Sequence, residues 1–492
     1  MKKNIWVLIS LSVLMNNSIE AKTITTSLAT QKTAEYYQQL IKQQPQNLAE
    51  LALFTNLMPK GADLHHHYSG SIYAETYLDW VDAQGFCIYI VSTESKKLYS
   101  IEKNSKDIKG LDKVNCVSAA SVRSHNEWYT GILKTWSDKD YSNHYHIQPP
   151  PDQQFFNTFG YFGAVSSYQF NQGLQHLKQR AKEENVSYIE TMLTSSPTLE
   201  LSDVAALLAK INSQSTDDEQ AILIQQALVR LAANSALNDK IKDYLKIVDD
   251  AAEGLNDEQF TIRFQTYVAR DKTPAVILSG LYSAFVAVSK NQHLVAVNIV
   301  GPESGYVAMR DYALHMQMFK VLKKQFPDVK LALHAGELVL GMVPPEGLKF
   351  HIHDAIKVAG AQRIGHGIDI VHEHEPIQLL DLMNKNDIAV EINLTSNAFI
   401  LGIKPNEHPI QLYQKFKVPY VISTDDSGVS RNNLSYEYLL YASNYQPSYQ
   451  SLKDTVYRSI QYSFLNEVEK QREIQKLNQR FLTFEQKIAS IP

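Results

Sequence analysis

The sequence predicts a (β/α)8 barrel, and two observations support that fold class. Short apolar runs alternate with helix-like segments along most of the chain, which is the pattern of a parallel sheet with helical crossovers. Acidic residues and histidines stand where several of these runs end, and a barrel gathers the C-terminal ends of its strands at one rim. The eight expected strands are a run that ends at Leu64, followed by residues 186–193, 260–268, 294–301, 330–337, 363–367, 388–395 and 420–426.

The composition is that of a water-soluble globular protein. The chain has 492 residues, of which 44% are hydrophobic and 20% are charged, and its formal net charge is −5. This charge gives no reason to expect a nucleic acid or an acidic membrane surface as a partner. No stretch beyond the N-terminus approaches the ~20 apolar residues that span a bilayer, so we expect no membrane segment in the mature protein.

The N-terminus has the layout of a secretory signal. Lys2 and Lys3 precede an apolar run over residues 5–15, and a polar stretch leads to the small residue Ala21. We therefore predict a signal peptide over residues 1–21 and an exported protein, periplasmic or extracellular; the alternative is a buried N-terminal helix. A helical segment is expected over residues 22–57, and the barrel over residues 58–492.

Two insertions are predicted within the barrel. Residues 82–150 contain both cysteines, Cys87 and Cys116, which in an exported protein form a natural disulfide; two free thiols are the alternative. Residues 199–256 predict a helical insertion after the second strand. Between them, helical spacing over residues 153–184 predicts a buried stripe, which we interpret as core rather than as a binding surface: Phe155, Phe156, Phe159, Phe162, Leu174 and Leu177.

The first strand delivers half of a possible metal site. His65 and His67 are two residues apart, so in an extended strand their imidazoles face one side and His66 faces the other. Such a pair is weak evidence by itself, because surface or core-packing histidines also occur at this spacing.

The ends of later strands supply the rest of the predicted site. The fifth strand ends in His334-Ala-Gly-Glu337, the sixth in His366 and the eighth in Asp425-Asp426. Three histidines and one aspartate suit Zn²⁺, which in catalytic sites keeps one position open for water and lowers its pKa towards ~7.

The remaining strand-end residues predict proton chemistry. His366 is available to orient or deprotonate the water. Glu337 can donate a proton to a ring nitrogen of a substrate if a water-poor pocket raises its pKa. Asp426 alternates in direction with Asp425 and is placed to accept a hydrogen bond from substrate.

Together these motifs resemble the adenosine deaminase family. They are His65-His-His67, His334-Ala-Gly-Glu337, Arg363-Ile-Gly-His366-Gly and Ser423-Thr-Asp425-Asp426, in that order along the chain. The signal peptide, the opening Met58-Pro-Lys-Gly and the insertion with two cysteines are similar to the secreted growth-factor-type subgroup of that family.

The resemblance implies a role for each position. His65, His67, His334 and Asp425 are expected to bind one zinc ion per chain. Glu337 would protonate purine N1, His366 would act on the water, Asp426 would hydrogen-bond N7, and the backbone N–H of Gly301 would meet N3. The implied reaction is hydrolysis of adenosine or 2′-deoxyadenosine to inosine or deoxyinosine and ammonia, and dimers of the subgroup imply a homodimer.

Two positions depart from the family pattern. Tyr68 and Ser69 stand where members often carry an acidic residue that contacts the ribose, so His67 and Ser69 are the expected substrate contacts on this side. Asn298 stands where intracellular members usually have aspartate. The alternatives are therefore a related barrel aminohydrolase acting on AMP, adenine or a 6-modified adenosine, or a deaminase with an added extracellular binding role.

Other histidines could imitate a metal site. His351 and His353 open a helix-like segment, where residues two apart do not share a face, and we predict a surface or capping role for them. His372 and His374 lack the spacing of a zincin helix. Two further histidines, His144 and His146, are expected in a solvated loop. Glu190, at the end of the second strand, is either a supporting residue or a cleft carboxylate.

Overall fold

The computed structural model describes residues 28–104, 106–141 and 149–491. The predicted signal peptide and the pair His144 and His146 lie outside the described residues. Eleven strands are present, in chain order β1 (Gly61–His67), β2 (Cys87–Tyr89), β3 (Ile101–Glu102), β4 (Cys116–Val117), β5 (Val186–Ser195), β6 (Thr261–Ala269), β7 (Leu294–Val300), β8 (Lys330–Ala335), β9 (Arg363–His366), β10 (Ala389–Ile392) and β11 (Tyr420–Ile422).

Eight of these strands form one parallel sheet in the order β1-β5-β6-β7-β8-β9-β10-β11. The two edge strands then meet, because His66 forms a parallel bridge with Asp425. The His67 N–H donates to Asp425 O at 3.1 Å, and the Asp425 N–H donates to His65 O at 2.9 Å. The predicted (β/α)8 barrel is therefore confirmed, and the seam that closes it runs through three residues of the predicted site.

Helices surround the barrel and fill the connections between its strands. Three short turns also occur in these connections: a 3-10 turn at Pro345–Leu348, a π turn at Ala355–Ala359 and a 3-10 turn at Ile368–His372. The α-helices are α1 (Leu28–Lys42), α2 (Leu48–Leu57), α3 (Tyr68–Ser71), α4 (Ala74–Ala83), α5 (Leu111–Asn115), α6 (Ala119–Arg123), α7 (Asn126–Thr135), α8 (Pro151–Phe162), α9 (Phe170–Glu183), α10 (Ser202–Leu208), α11 (Asp217–Ala233), α12 (Ser235–Ala252), α13 (Pro274–Lys290), α14 (Tyr306–Gln325), α15 (His351–Asp354), α16 (Pro376–Lys385), α17 (Leu394–Leu401), α18 (Ile410–Phe416), α19 (Leu434–Tyr445), α20 (Tyr449–Gln461) and α21 (Glu467–Ile488).

The segment before the barrel forms two helices rather than one. Pro45 separates α1 from α2, since a proline lacks the N–H that a continuing helix needs. The two helices pack on each other through Tyr37 and Phe54, whose ring centroids are 5.1 Å apart. The Thr30 hydroxyl also donates to Glu485 on α21 at 2.6 Å, which ties α1 to the last helix.

The two predicted insertions contain different kinds of element. A small antiparallel sheet of β2, β3 and β4 lies in the first insertion, and the disulfide between Cys87 and Cys116 joins β2 to β4. The second insertion is helical and supplies α10, α11 and α12. No helix among the described residues is both long enough and apolar enough to cross a bilayer.

Candidate active site

Four predicted metal-binding residues meet at the C-terminal rim of the barrel. His65, His67, His334 and Asp425 each offer one ligand atom, and these four atoms lie within 4.8 Å of one another. The Asp425 carboxylate lies 3.4 Å from His65 Nε2 and 3.3 Å from His67 Nε2, and His67 Nε2 lies 3.3 Å from His334 Nε2. The residues come from β1, from β8 and from the loop after β11, so only the barrel brings them together.

Strand geometry separates the three consecutive histidines of β1 as expected. His65 and His67 face the rim, while His66 faces the other side and pairs with Thr191 Oγ1 at 2.9 Å. Asp425 adopts a left-handed backbone conformation with φ of 63°, which is uncommon for a residue other than glycine. Its backbone is held by the two hydrogen bonds to β1 that close the barrel.

Buried acceptors orient two of the imidazoles. His65 Nδ1 lies 2.6 Å from Glu391 Oε2, and His334 Nδ1 lies 2.9 Å from Asn298 Oδ1. Each acceptor can accept a hydrogen bond from Nδ1–H, which leaves Nε2 of the ring free to bind a metal. His65 Nε2 is buried and has no hydrogen-bond partner among the described residues. A buried, unpartnered imidazole nitrogen aimed at a carboxylate and two further imidazoles fits a divalent ion that prefers nitrogen and oxygen ligands.

An ion-pair network beneath the site supports Glu391. The buried Arg363 donates to Glu391 at 2.6 Å and to Glu190 at 2.5 Å. Glu190 therefore pairs with Arg363 inside the barrel and does not line the candidate cleft, which decides between the two roles left open by the sequence. Sequence reasoning missed Glu391; the only signal was an acidic residue within the apolar strand β10.

Glu337 and His366 form a second group beside the four candidate ligands. His366 Nε2 lies 3.7 Å from the Glu337 carboxylate and 3.9 Å from that of Asp425. Burial, with the nearby charges of Asp425 and Glu303, raises the pKa of Glu337 well above its usual value, which favours the protonated carboxyl group. Burial lowers the pKa of His366 to about 3, which keeps the imidazole neutral.

Neighbouring amides fix the orientation of His366. Asn397 Nδ2 lies 2.8 Å from His366 Nδ1, while Asn397 Oδ1 faces His408 Nε2 at 3.3 Å. With the amide assigned in this way, Asn397 donates to Nδ1 and the proton of the neutral ring sits on Nε2. That N–H points to the same side as Glu337 and Asp425.

Asp426 points into the cleft beside Gly70. A Cβ added at Gly70 would lie 1.5 Å from Asp426 Oδ1, so only glycine allows this approach. Burial and the neighbouring charge of Asp425 raise the pKa of Asp426 well above its usual value. In its protonated form this carboxyl group can donate a hydrogen bond as well as accept one.

A cavity of about 400 Å³ opens in front of these groups. A volume of this size accommodates a small organic ligand. Its wall combines the predicted site with residues of α8 and the loops after β6 and β7: His67, Ser69, Phe155, Phe156, Phe159, Tyr267, Ala269, Asp271, Lys272, Val300, Gly301, Pro302, His334, Glu337, His366, Asp425 and Asp426.

The aromatic residues of α8 correct one prediction. Phe155, Phe156 and Phe159 line the cavity, although the sequence led us to interpret them as core. Phe162 is buried in the core as expected. Helical spacing identifies an apolar face but does not reveal whether a protein core or a ligand covers it. Here part of the face packs in the core and part lines the cavity.

The two residues that depart from the family pattern take different directions. Ser69 lines the cavity, whereas Tyr68 is buried and packs against Phe170, with ring centroids 5.1 Å apart. No carboxylate of α3 therefore reaches the cavity. Asp271 and Lys272, which sequence reasoning missed, provide charged groups in the cavity wall and lie 3.0 Å from each other.

The position of His351 corrects a second prediction. We predicted a surface or capping role, but His351 is fully buried and its Nδ1 lies 2.5 Å from Glu303 Oε1. His353 is half exposed, as predicted. The signal that could have found His351 is the acidic residue that ends Asn298-Ile-Val-Gly301-Pro-Glu303, because a buried glutamate needs a cationic or donating partner.

Comparison with known proteins identifies the family. The profile of the adenosine deaminase family matches residues 228–480, just over half of the chain. The chain belongs to the adenosine deaminase family. Curated relatives include adenosine deaminases of Aliivibrio fischeri and Vibrio cholerae, each 29% identical over 184 and 183 residues respectively. Each match covers 37% of this chain, and it spans about half the length (50%) of the relative.

Solved structures share the fold of this family member at low sequence identity. The Arabidopsis N6-mAMP deaminase superposes with a TM-score of 0.55 at 17% identity, covering 87% of this chain and 99% of the other. The adenine deaminase of Arthrobacter aurescens gives 0.56 at 13% identity, covering 86% and 99%. A zinc-bound amidohydrolase from Burkholderia ambifaria gives 0.53 at 14% identity, covering 89% and 95%.

Proposed function

We propose that this protein is a zinc-dependent adenosine deaminase that hydrolyses adenosine and 2′-deoxyadenosine to inosine and deoxyinosine, with release of ammonia. One observation carries the proposal: the carboxyl groups of Glu337 and Asp426 face the same 400 Å³ cavity, beside four converging side chains that can bind a metal. Membership of the family supports a hydrolytic deaminase of purines; adenosine and zinc are the finer parts of the proposal.

The four converging side chains would hold the ion. His65, His67, His334 and Asp425 offer three imidazole nitrogens and one carboxylate oxygen, a donor set that zinc accepts. Bound zinc supplies Lewis acidity, which makes water a nucleophile at neutral pH.

The other residues bind the purine and move protons. Adenine N1 and N7 are both hydrogen-bond acceptors, so each needs a donor from the protein. Glu337 gives its proton to N1, which makes C6 more electrophilic as water attacks it. Asp426 donates to N7, the Gly301 N–H faces N3, and His366 orients the attacking water through its Nε2–H. The attacking water supplies the two protons that balance the reaction: one goes to the amine, which leaves C6 as ammonia, and the other restores the Glu337 carboxyl group.

Turnover of adenosine tests the proposal directly. Purified protein with one zinc ion per chain should convert adenosine to inosine, seen as falling absorbance near the adenine maximum and confirmed by chromatography. No conversion of adenosine by zinc-loaded protein would contradict it.

Glu337→Gln keeps the size of the side chain but removes the transferable proton. We expect zinc content to stay at one per chain and kcat to fall at least 10³-fold, the upper part of the range for general acid catalysis. Glu473→Gln is the control, since Glu473 is also buried but pairs with Lys476 and with Thr261, where β6 begins at the opposite end of the barrel. Normal turnover by Glu337→Gln would remove Glu337 from the mechanism.

A second candidate substrate is a related aminopurine, such as AMP, adenine or a 6-modified adenosine. Two features of the cavity favour it: α3 contributes no carboxylate for a ribose hydroxyl, and the Lys272 ammonium could attract a phosphate. Similar structures include an N6-mAMP deaminase and an adenine deaminase. A panel of adenosine, AMP, adenine and N6-methyladenosine decides, because the best substrate has the highest kcat/KM.

We also propose that the protein is exported and dimeric. The predicted signal peptide over residues 1–21 and the disulfide between Cys87 and Cys116 support export, since disulfides persist in oxidising compartments. Mass spectrometry of protein from the native host should find an N-terminus just after Ala21. An intact N-terminus in the cytoplasm would contradict export, and a monomer by light scattering would contradict the dimer.

A further inference from the structure

The turn that carries Glu337 rests on a buried carboxylate. Glu303 is almost fully buried, and both of its oxygens accept hydrogen bonds from this turn. The Gly336 N–H donates to Oε1 at 3.1 Å, and the Glu337 N–H donates to Oε2 at 2.8 Å. A carboxylate that accepts two consecutive backbone N–H groups fixes the orientation of both peptide planes.

The turn is held from its opposite side as well. Gly336 O accepts the N–H of Ile368 at 2.8 Å and that of Asp369 at 3.2 Å. Gly336 has φ of +76°, and a Cβ there would lie 2.4 Å from Asp369 Oδ1, so glycine is required. With donors on one side and a carboxylate on the other, the peptide before Glu337 has a single orientation.

Glu303 is itself fixed by two neighbours. His351 Nδ1 lies 2.5 Å from its Oε1, and the Arg270 guanidinium lies 3.6 Å away. The His351 ring stacks on Tyr312 with centroids 3.7 Å apart, and the Tyr312 hydroxyl donates to His351 O at 2.7 Å. Although burial opposes its charge, Arg270 and His351 hold the pKa of Glu303 at about 2, so it stays an anion that only accepts.

Arg270 extends the same support to the neighbouring strand ends. Its Nη2 donates to Ile299 O at 3.1 Å and to His334 O at 2.9 Å. One buried ion pair, Arg270 with Glu303, therefore contacts the backbone at both ends of the His334–Glu337 turn. None of its atoms lines the 400 Å³ cavity in front of Glu337.

We propose that Glu303 is a positioning residue that aims the Glu337 carboxyl group at the substrate, and that His351 holds Glu303 in place. This inference rests on the proposed role of Glu337 as proton donor. A misplacement of about 1 Å at a reacting group can cost on the order of 10² in rate, so a residue that fixes the peptide of Glu337 affects turnover without touching the purine.

Glu303→Gln tests the inference with little change in volume. The amide nitrogen cannot accept an N–H, so the turn loses one of its two hydrogen bonds. We expect kcat for adenosine to fall about 10- to 100-fold, KM to change less than about threefold, and zinc content to stay at one per chain. Glu473→Gln again controls for loss of a buried carboxylate and should leave kcat unchanged.

Combination with Glu337→Gln separates positioning from a general structural role. If Glu303 acts only through Glu337, Glu303→Gln causes no further loss in the Glu337→Gln background, measured at high enzyme concentration. The inference is overturned if Glu303→Gln lowers kcat as much in the Glu337→Gln background as in the wild type. It is also overturned if Glu303→Gln raises KM instead of lowering kcat, or if the variant loses zinc. If residual turnover is too slow to measure, a crystal structure of Glu303→Gln decides, since an unmoved Glu337 carboxyl group also overturns it.

Variants at His351 give a second route should Glu303→Gln fail to fold. His351→Gln keeps a donor for Glu303 and should retain much of the turnover that His351→Leu loses; equal turnover by the two variants contradicts the inference.

Failure of the proposed function gives different results from failure of the positioning role. In that case the wild-type protein leaves adenosine intact, or Glu337→Gln turns over normally. If Glu337 proves essential but Glu303→Gln is fully active, only the positioning role is overturned.

Discussion

At the scale of single residues, the site depends on side chains to which the sequence assigned no role in orienting the candidate ligands. Glu391 and Asn298 each accept a hydrogen bond from Nδ1–H of a candidate zinc ligand. Arg363 forms an ion pair with Glu391. Such partners set the tautomer and the direction of a ligating imidazole. The resemblance named the ligands, but only the contacts reveal what orients them.

Removal of the partner of His65 should weaken metal binding more than it changes the fold. Glu391→Gln keeps the volume and one acceptor but removes the charge that favours binding through Nε2. We expect zinc affinity to fall about 10- to 100-fold, measured by competition with a chelator of known affinity. Glu253→Gln, the same change at an exposed position directly after α12, is a suitable control. Unchanged affinity in Glu391→Gln would show that Asp425 and the imidazoles suffice.

At the scale of elements, loops and helices at the rim decide what the barrel can bind. The helix α8 turns three phenylalanines towards the cavity, and α3 turns Tyr68 away from it. The first insertion approaches this rim too, because the Asp138 N–H donates to Val429 O at 2.9 Å, four residues beyond Asp425. Spacing predicted the helices, but it could not predict which neighbour would cover each face.

Asp138 should make the stability of the protein depend on pH. Both of its carboxylate oxygens are inaccessible and unpartnered among the described residues, and burial raises its pKa to about 8. The folded protein therefore binds a proton that the unfolded chain, with a pKa near ~3.9, has lost. The proton bound to folded Asp138 stabilises the folded state. This stabilisation is fully present below about pH 4 and is lost as the pH rises towards 8.

Asp138→Asn removes the titrating group. Its melting temperature should match that of the wild type near pH 4 and exceed it increasingly between pH 5 and 9, with a gain of about 2 kcal/mol or more at the upper end. Thermal melts at pH 5, 7 and 9 measure the difference. A difference between variant and wild type that stays constant across this range would assign Asp138 an ordinary pKa.

At the scale of the whole molecule, the candidate zinc site lies across the seam that closes the barrel. His65 and Asp425 are 360 residues apart in the chain but are joined by a backbone hydrogen bond. An ion bound by both would link the first and the last strand of the sheet. Metal binding and closure of the barrel should therefore stabilise each other.

Metal removal should lower the thermal stability of the whole barrel. A ligand present at a thousand times its Kd stabilises the folded state by about 4 kcal/mol, so the apoprotein should melt roughly 4 °C lower. Calorimetry of chelator-treated protein, before and after addition of Zn²⁺, measures the shift, and Mg²⁺ is the control because it disfavours imidazole ligands. Equal melting temperatures with and without Zn²⁺ would mean that the seam does not bind the ion.

The sequence by itself determined the fold class, the family and the residues that converge. Alternation of strands and helices is local information, and the motifs at the ends of β1, β8, β9 and β11 fall at the rim of any barrel with that strand order. Even the strand bounds were close, since β5 extends over Val186–Ser195 where residues 186–193 were expected.

Only the tertiary structure decided which side chains support these motifs and which cover the cavity. The cation that neutralises Glu303, the acceptor for His65 and the direction of Tyr68 all depend on contacts between elements far apart in the chain. Periodicity states that a face is apolar or that a charge is buried, but it does not name the partner. The partner is fixed by how the strands close and how the helices pack, and that geometry separates a core histidine such as His351 from a candidate ligand such as His65.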